Sequence, residues 1–474
     1  MNPSKSISTN EAARHMRPTG LLCSLGRMSV LGVLGITLLA SGPACAGDSV
    51  ESWLEQAAKP MQLNGEEATL KIGLESRYRL EARDNMNLNN ASYEDDLVNL
   101  FRNRLSADLK LQPDAEGSLY RFFVEGQTAQ SAASNGLNKT NLYVNHFDLR
   151  QLYFEATSLF GAPLTLKAGR QELAYGDERF VGPLNWTNTA RVFDAVKLVY
   201  NPSDVLQMDF FGTRVVRNEP TTTDRSAHAD NFYGVYVSYK GIEQHVLDTF
   251  LFVRDNNDHS FVSEVGGLRG NLEEYTFGSR FKGGRGAWDY GTEAALQLGD
   301  RAGDDILAWT FHQELGYTFA DVNWTPRVSA EYNHGSGDRD PQDGTYGTFD
   351  NLYPTNHNKY GLIDFASLKN MNDFMLGLGV KPDPKLTIAA EFHWLLLDAK
   401  ESAWFNAGGA VLRAANVNAS PDLGKELDVY ATYKFNAYLS GLVGYSHFFA
   451  GPFPQDTGRG DDADFVYAQL IFKI

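Results

Sequence analysis

The stretch "FRNRLSADLKL", Phe101–Leu111, alternates without a break. One face carries Phe101, Asn103, Leu105, Ala107, Leu109 and Leu111; the other carries Arg102, Arg104, Ser106, Asp108 and Lys110. Strand side chains point to opposite faces with a period of two, so this segment reads as a strand with an apolar side and a charged side. The same pattern runs through "DVLQMDFF", "PRVSAEYN", "LTIAAEFHWLL" and "ELDVYATYKF". In "LTIAAEFHWLL", Leu386, Ile388, Ala390, Phe392 and Trp394 oppose Thr387, Ala389, Glu391 and His393. A water-soluble sandwich would alternate in the same way, so alternation alone establishes an all-β chain and leaves sandwich and barrel open.

Further features choose the barrel. Strand-like segments recur with no second domain, and aromatics sit near strand ends as interfacial girdles require. They are Tyr78, Tyr93, Tyr153, Phe154, Tyr239, Trp309, Trp324, Tyr445, Phe448 and Phe449. Tight turns such as "NPSD" (Asn201–Asp204), "KPDPK" (Lys381–Lys385) and "FNAY" (Phe435–Tyr438) alternate with long polar connections. The long set comprises "DNMNLNNASYEDD", "SAASNGLNKTN", "RNEPTTTDRSAHADN", "GDRAGDD" and the stretch from Gly335 to Asn370. This walk gives nine hairpins and an expected 18 strands, an even number as a closed single-chain barrel requires. The final "DFVYAQLIFKI" reads as a strand with Val466, Ala468, Leu470, Phe472 and Ile474 on one face. Such an edge invites aggregation in water, whereas a barrel pairs its last strand with its first. The expected fold is therefore all-β, an 18-stranded antiparallel transmembrane β-barrel of the outer-membrane type.

Composition agrees. The 474 residues include 44 Gly, 22 Tyr and 29 Phe, and mean hydropathy is −0.34. Beyond the first residues no apolar stretch approaches the ~20 residues of a spanning helix. Lys5, Arg14, Arg17 and Arg27 precede the apolar run "MSVLGVLGITLLA", and Ala44-Cys45-Ala46 offers a cleavage site, the arrangement of a secretory signal. Cleavage near Ala46 would leave 47–65 as a periplasmic N-terminal segment and 66–474 as the barrel, placed in the outer membrane of a Gram-negative cell. Cys23 and Cys45 precede the cut, which removes disulfides, thiolate metal sites and a cysteine nucleophile from consideration. The cut also strips four basic residues and one acidic residue from a chain of net charge −17, leaving −20. That balance argues against nucleic acid as a partner.

One segment is unusual. "LKAGRQELAYGDERFVGPLNW", Leu166–Trp186, starts as a strand and then places Arg170, Glu172, Asp177, Glu178 and Arg179 within ten residues. Such a cluster suits a catalytic site, a metal site or the charged wall of a channel. Extended to "LKAGRQELAYGDERFVGPLNWTNTARVFDAVKL", and taken with "FRNRLSADLKLQ", "HFDLRQLYFEA", "GTFDNLYPTNHNKYGLIDF", "LDVYATYKFNAYLSGLVGYSHFFAG" and "DADFVYAQLIFKI", it resembles the alginate export family of outer-membrane porins. The resemblance covers nearly all of the mature chain. It implies a monomeric 18-strand barrel that exports an anionic polysaccharide, alginate or a similar uronate polymer, through an arginine-rich constriction. The implied partners are outer-membrane lipid and lipopolysaccharide, the polymer or its uronate oligomers, and a periplasmic secretion scaffold.

The resemblance carries over Arg150 and Arg170, with Glu172, Asp177, Glu178 and Arg179 in the loop that follows. Arg102 and Arg104 join them by alternation, while Arg191 begins the return strand with Asp194 three residues on. Arg102, Arg104, Arg150, Arg170 and Arg191 are thus the expected basic lining, with Asp177 and Asp194 orienting the guanidinium groups. Arginine keeps its charge at any relevant pH and presents a fork that suits carboxylates, so a ring of them selects anions. Pairing across the lumen to hold the barrel's shape is the plainer role for each. Simple alternation from Leu164 would put Arg170 on the lipid face, where a mid-membrane charge costs ~2–4 kcal/mol. A lumen position for it therefore requires a bulge near Gly169 or the end of the strand.

Other constellations read as structural. His393 and His447 lie in strands with aromatic neighbours, and no His/Asp/Glu group has a recognisable ligand spacing, so no metal and no other cofactor is expected. "DRDPQDG" (Asp338–Gly344) and "RGDDADF" match no calcium loop and suit solvated loops or divalent bridges to lipopolysaccharide. No serine occupies a G-x-S-x-G context, and Glu172 with Asp177 reads as a pair of salt-bridge partners rather than a glycosidase pair, so an enzyme is not expected. The alternative to polymer export is a diffusion porin for small anionic or mixed solutes, with an outer-membrane enzyme on lipid or glycan third. The family's best-known exporter is plugged by a long late periplasmic turn; here the late turns are short. Gly335–Asn370 and Ser131–Asn145 are the candidate lids instead.

Overall fold

In the computed structural model the described residues are 50–63, 67–86, 88, 96–112, 119–132 and 140–474. The expected signal, both cysteines, Tyr93 and part of the Ser131–Asn145 loop lie outside them. The chain runs through β1 (Ala68–Asp84), β2 (Asp96–Leu111), β3 (Tyr120–Ala132), β4 (Asn145–Ala156), β5 (Leu164–Gln171) and β6 (Phe193–Ser203). It continues through β7 (Leu206–Arg217), β8 (Arg225–Tyr239), β9 (His245–Val262), β10 (Arg269–Arg285), β11 (Trp288–Arg301) and β12 (Asp304–Thr318). Last come β13 (Arg327–Gly335), β14 (Met371–Asp383), β15 (Leu386–Leu396), β16 (Asp422–Lys434), β17 (Leu439–Ala450) and β18 (Ala463–Lys473). Each pairs antiparallel with the next, and β18 returns to β1 from Glu75↔Lys473 to Asp84↔Asp464, closing an 18-stranded barrel.

Burial shows which solvent each face meets. On β2, Leu97 and Leu105 are 44 % and 61 % exposed, while Arg102 and Arg104 are 3 % and 8 % exposed. Apolar residues outside and charges inside is the reverse of a soluble sandwich and is the pattern of a strand between lipid and a polar lumen. Outward aromatics mark the edges of the lipid band. Trp309 and Tyr317 share a face of β12, eight residues or about 26 Å of strand apart. Tyr153 and Phe448 depart from the expected girdle: both turn inward, Tyr153 stacking on Phe123 and Phe448 meeting Phe365 and Trp404.

The connections fall into two sets at opposite ends. "KPDPK" and "FNAY" are tight turns as expected, on the same end as the start of β1 and the end of β18. "GDRAGDD" differs from expectation: Ala302 (φ 56°) and Gly303 (φ 95°) make a two-residue turn between β11 and β12. The left-handed conformation of both residues matches the twist of the flanking strands. Two of the long connections on the loop end, 172–192 and 336–370, fold into the lumen.

Candidate functional site

Segments 172–192 and 336–370 meet inside the barrel. Val181 and Tyr353 form a parallel bridge. Around it Gly182 N–H donates to the Tyr353 carbonyl at 2.9 Å, and Tyr353 N–H donates to that of Phe180 at 2.9 Å. Leu173, Phe180 and Val181 from one segment and Phe349, Tyr353 and Tyr360 from the other pack on Phe193, Phe211, Phe232, Phe250 and Phe252 of the barrel wall. This aromatic cluster fills part of the lumen and excludes water there, so the backbone groups of 180–182 and Tyr353 pair with one another instead.

Arginines of neighbouring strands hold the tip of the first segment. Arg77 donates to the carbonyls of Asn185 (2.8 Å) and Thr187 (3.0 Å) and to Asn188 Oδ1 (3.1 Å). Arg79 donates to the Trp186 carbonyl at 2.8 Å, and its guanidinium carbon lies 3.7 Å from the centre of that residue's ring. His357 stacks on the same indole, centroids 3.7 Å apart and planes at 10°. Arg102 reaches the Asn185 carbonyl at 3.0 Å, and Arg104 reaches Asn185 Oδ1 at 3.1 Å. Carboxylates share these cations. Glu75 takes Arg102 at 2.7 Å, Glu81 takes Arg79 at 2.7 Å and also Arg83, and Glu125 takes Arg150 at 2.6 Å, with Glu172 on the same guanidinium.

Residues 184–187 separate two cavities. The one towards the loops, about 690 Å³, presents Arg79, Arg83, Arg191, Arg254 and Lys369 against Asp96, Asp350 and Asp364. The one towards the turns, about 470 Å³, presents Lys71, Arg102, Arg104, Arg150 and Lys473 against Glu75, Asp108, Glu125 and Glu172. Cationic side chains outnumber anionic ones in both, although the whole chain is acidic.

The expected site residues divide. Arg102, Arg104 and Arg150 stand together on the inward wall with Glu172. Arg191 lies between the two segments instead, donating to the carbonyls of Gly182 (3.1 Å) and Pro354 (2.9 Å), and burial brings its pKa down to about 10. Arg179 reaches across to Glu331 (3.6 Å), Glu293 (3.8 Å) and the Tyr360 hydroxyl (3.3 Å). Burial opposes its charge, but Tyr360, Glu331 and Glu293 more than offset it. Asp177 orients none of the expected arginines: it pairs with Arg280 (2.9 Å) and Lys282 (3.0 Å). Against the effect of burial these two hold its carboxyl well below the usual range.

Arg170 and Asp194 require a correction. The register of β4, β5 and β6 is unbroken through Leu152↔Arg170 and Arg170↔Asp194, and the strand runs on to Gln171. Gly169 does adopt a positive φ of 126°, but without a register shift. Arg170 therefore keeps the outward face of Leu152 and Val196, which are 51 % and 57 % exposed. It sits at the loop end of β5, where Asp194 neutralises it through bonds of 2.8 and 3.1 Å.

Arg77, Arg79 and Arg83 escaped the sequence reading although their signal is the same as that of Arg102 and Arg104. "ESRYRLEAR" alternates Glu75, Arg77, Arg79, Glu81 and Arg83 on one face. The acidic part of the lumen escaped for another reason. Glu391, His393 and Asp428 converge with their ligand atoms within 4.8 Å. Pairing of Glu391 with Asp428 across β15 and β16 brings this about, and no spacing along the chain reveals it.

The family model described as alginate export matches residues 68–467. No curated protein matches the sequence. Among solved structures the chain resembles OccD3 (OpdP) of Pseudomonas aeruginosa at 13 % identity and a TM-score of 0.54, covering 88 % of this chain and 93 % of that one. It resembles OpdO of the same organism at 13 % identity and a TM-score of 0.56, covering 85 % and 97 %. OpdK of that organism, solved with vanillate, is 12 % identical with a TM-score of 0.56, covering 85 % and 98 %. At these identities the likeness is one of fold.

Proposed function

The chain belongs to the alginate export family, whose members are outer-membrane porins, and from that premise we propose that it exports an anionic polysaccharide, alginate or a similar uronate polymer. The observation that carries the reading is the arc of Arg77, Arg79, Arg102, Arg104 and Arg150 around residues 185–187. A uronate carboxylate entering from the turn end would meet Arg102, Arg104 and Arg150 first, then Arg79, then Arg83 and Arg191. Guanidinium groups recognise carboxylates through paired N–H donors. Their existing partners, Glu75, Glu125 and Glu172, keep each contact weak enough to be exchanged, as conduction through successive sites requires. Arg170 and Asp194 have no part in this path.

One observation favours the second reading, a porin for small anions. Arg77, Arg79 and Arg102 spend donors on the backbone of 185–187, and a polymer passes only if that tip moves aside, whereas a small carboxylate threads between the two cavities. Single-channel currents in planar bilayers test both. Polymer export predicts anion-selective reversal potentials under a KCl gradient and block by oligouronates, weakened in Arg104→Ala and Arg150→Ala. Anion selectivity without block by oligouronates longer than a few residues assigns the pore to small solutes. Cation selectivity without block refutes the arginine path.

A further inference from the structure

We propose that Glu391, His393 and Asp428 form a binding site for a divalent transition-metal ion, zinc by the chemistry of the donors. His393 Nδ1 lies 3.0 Å from Asp373, which fixes the ring and leaves Nε2 as the free nitrogen. That Nε2 has no hydrogen-bond partner although His393 is only 2 % exposed. It points between Asp428 Oδ2 at 3.9 Å and Glu391 Oε2 at 4.0 Å, both too far for hydrogen bonds. A tetrahedral ion with bonds of about 2.0–2.2 Å holds its ligand atoms roughly 3.4 Å apart, so the two imidazole–carboxylate distances close by about half an ångström on binding, within a group whose ligand atoms already lie within 4.8 Å of one another.

The surroundings are those of a ligand set rather than of an ion pair. Each donor has its own orienting partner: Asp373 for His393, the Tyr430 hydroxyl at 2.8 Å for Glu391 Oε1, and the Leu362 N–H at 3.4 Å for Asp428. Such outer partners set ring orientation and donor strength at metal centres. Charge points the same way. Asp373, Glu426 and Asp428 are fully buried beside Glu391. Among the described residues no Lys or Arg nitrogen lies within 4.0 Å of any of these four carboxylates, and His393 is their one close cationic partner. Lys359, Arg179 and Lys282 line the adjoining cavity without pairing directly with these carboxylates, and so many buried carboxylates around one imidazole are costly without a cation among them. A lumen cavity of about 220 Å³ touches Glu391 and His393, giving an entry path and room for a fourth ligand such as water or a solute carboxylate.

The test is zinc stoichiometry and affinity of the full barrel in detergent, after chelator treatment and dialysis, by titration with Zn²⁺ alone. The expected result is one ion per chain. His393→Gln and Asp428→Asn should each weaken binding more than 100-fold, and Tyr430→Phe about tenfold, the size of an outer-partner loss. Heat-modifiable migration in gels verifies that each variant keeps its closed barrel, so a folding failure is not read as lost binding. No stoichiometric binding by the unaltered protein overturns the proposal, as does equal binding in both ligand variants. Metal content is measured without reference to conductance, so this result stands or falls apart from the export reading.

Discussion

Replacing Trp186 with Ala should loosen the constriction without touching a strand. The indole is held on three sides: His357 stacks on it, Arg79 lies over it, and Tyr467 meets it edge-on with centroids 5.2 Å apart. Two aromatic pairs contribute ~0.5–1.5 kcal/mol each beyond area burial, and the cation–π contact adds ~0.5–2 kcal/mol. The hydrogen bond from Arg79 ends on the Trp186 carbonyl and survives the substitution. The loss is therefore about 3 kcal/mol, which at about 1.4 kcal/mol per decade shifts the balance between docked and released tip roughly 100-fold. In planar bilayers Trp186→Ala should show a larger unitary conductance and frequent transitions to a wider level. Anion preference should persist, since Arg102, Arg104 and Arg150 keep their positions. A variant with an intact barrel and the conductance and noise of the unaltered channel would refute the view that 184–187 forms the narrow point.

Two further expectations concern the loop end. Arg170→Ala should leave the reversal potential unchanged and lower thermal stability by about 1–2 kcal/mol, since the pair with Asp194 is half-buried and charge-assisted; a change in selectivity would return Arg170 to the lumen. Glu264, whose N–H donates to Asp304 Oδ2 at 2.6 Å, has a pKa pushed up to about 8 by burial and by Asp338 and Asp304. The folded state holds a proton that the unfolded chain releases above its ordinary value of 4.5, so stability is greatest at low pH and falls as pH rises from there to about 8. Melting temperatures should decline across that window relative to Glu264→Gln, and a rise would refute the assignment.

The barrel was legible because its period-2 signal is imposed by two solvents at once, and each strand repeats it. Strand count, inward Arg102 and Arg104 and the tight late turns followed from that signal. The connections were legible only by composition, which is why "GDRAGDD" read as a loop: four charged residues conceal a two-residue turn whose conformation depends on Ala302 and Gly303. Arg170 illustrates a subtler limit. Alternation placed it outside, and the cost of a charge in lipid suggested a bulge or the end of the strand; the register holds without a bulge, and Arg170 lies one residue from the end of β5, paired with Asp194. The inward course of 172–192 had a trace in "LAYGDERFVGPLNW", where Leu173, Phe180, Val181 and Trp186 are more apolar than a solvated loop requires. Nothing local says that their partners are Phe211, Phe232 and Phe252, because those contacts depend on which strands face each other across the closed lumen.

The charge of the lumen is divided by position rather than averaged. Arg77, Arg79, Arg83, Arg102, Arg104 and Arg150 belong to β1, β2 and β4, each with a carboxylate or a carbonyl within reach. Glu331, Asp373, Glu391, Glu426 and Asp428 belong to β13–β16, about six strands or a third of the circumference away, with His393, Arg179 and Lys359 as the cations beside them. Under the export proposal, a polyanion drawn to the first wall would be repelled by the second and so guided along one side of the lumen. Net charge does not decide selectivity under this arrangement, so a net charge of −17 is compatible with the proposed anion path. Each arginine of the basic wall has a carboxylate or carbonyl partner that, under the export proposal, it would exchange for a passing carboxylate. The acidic wall has no such reserve, and a bound cation there would complete it without weakening the path on the other side.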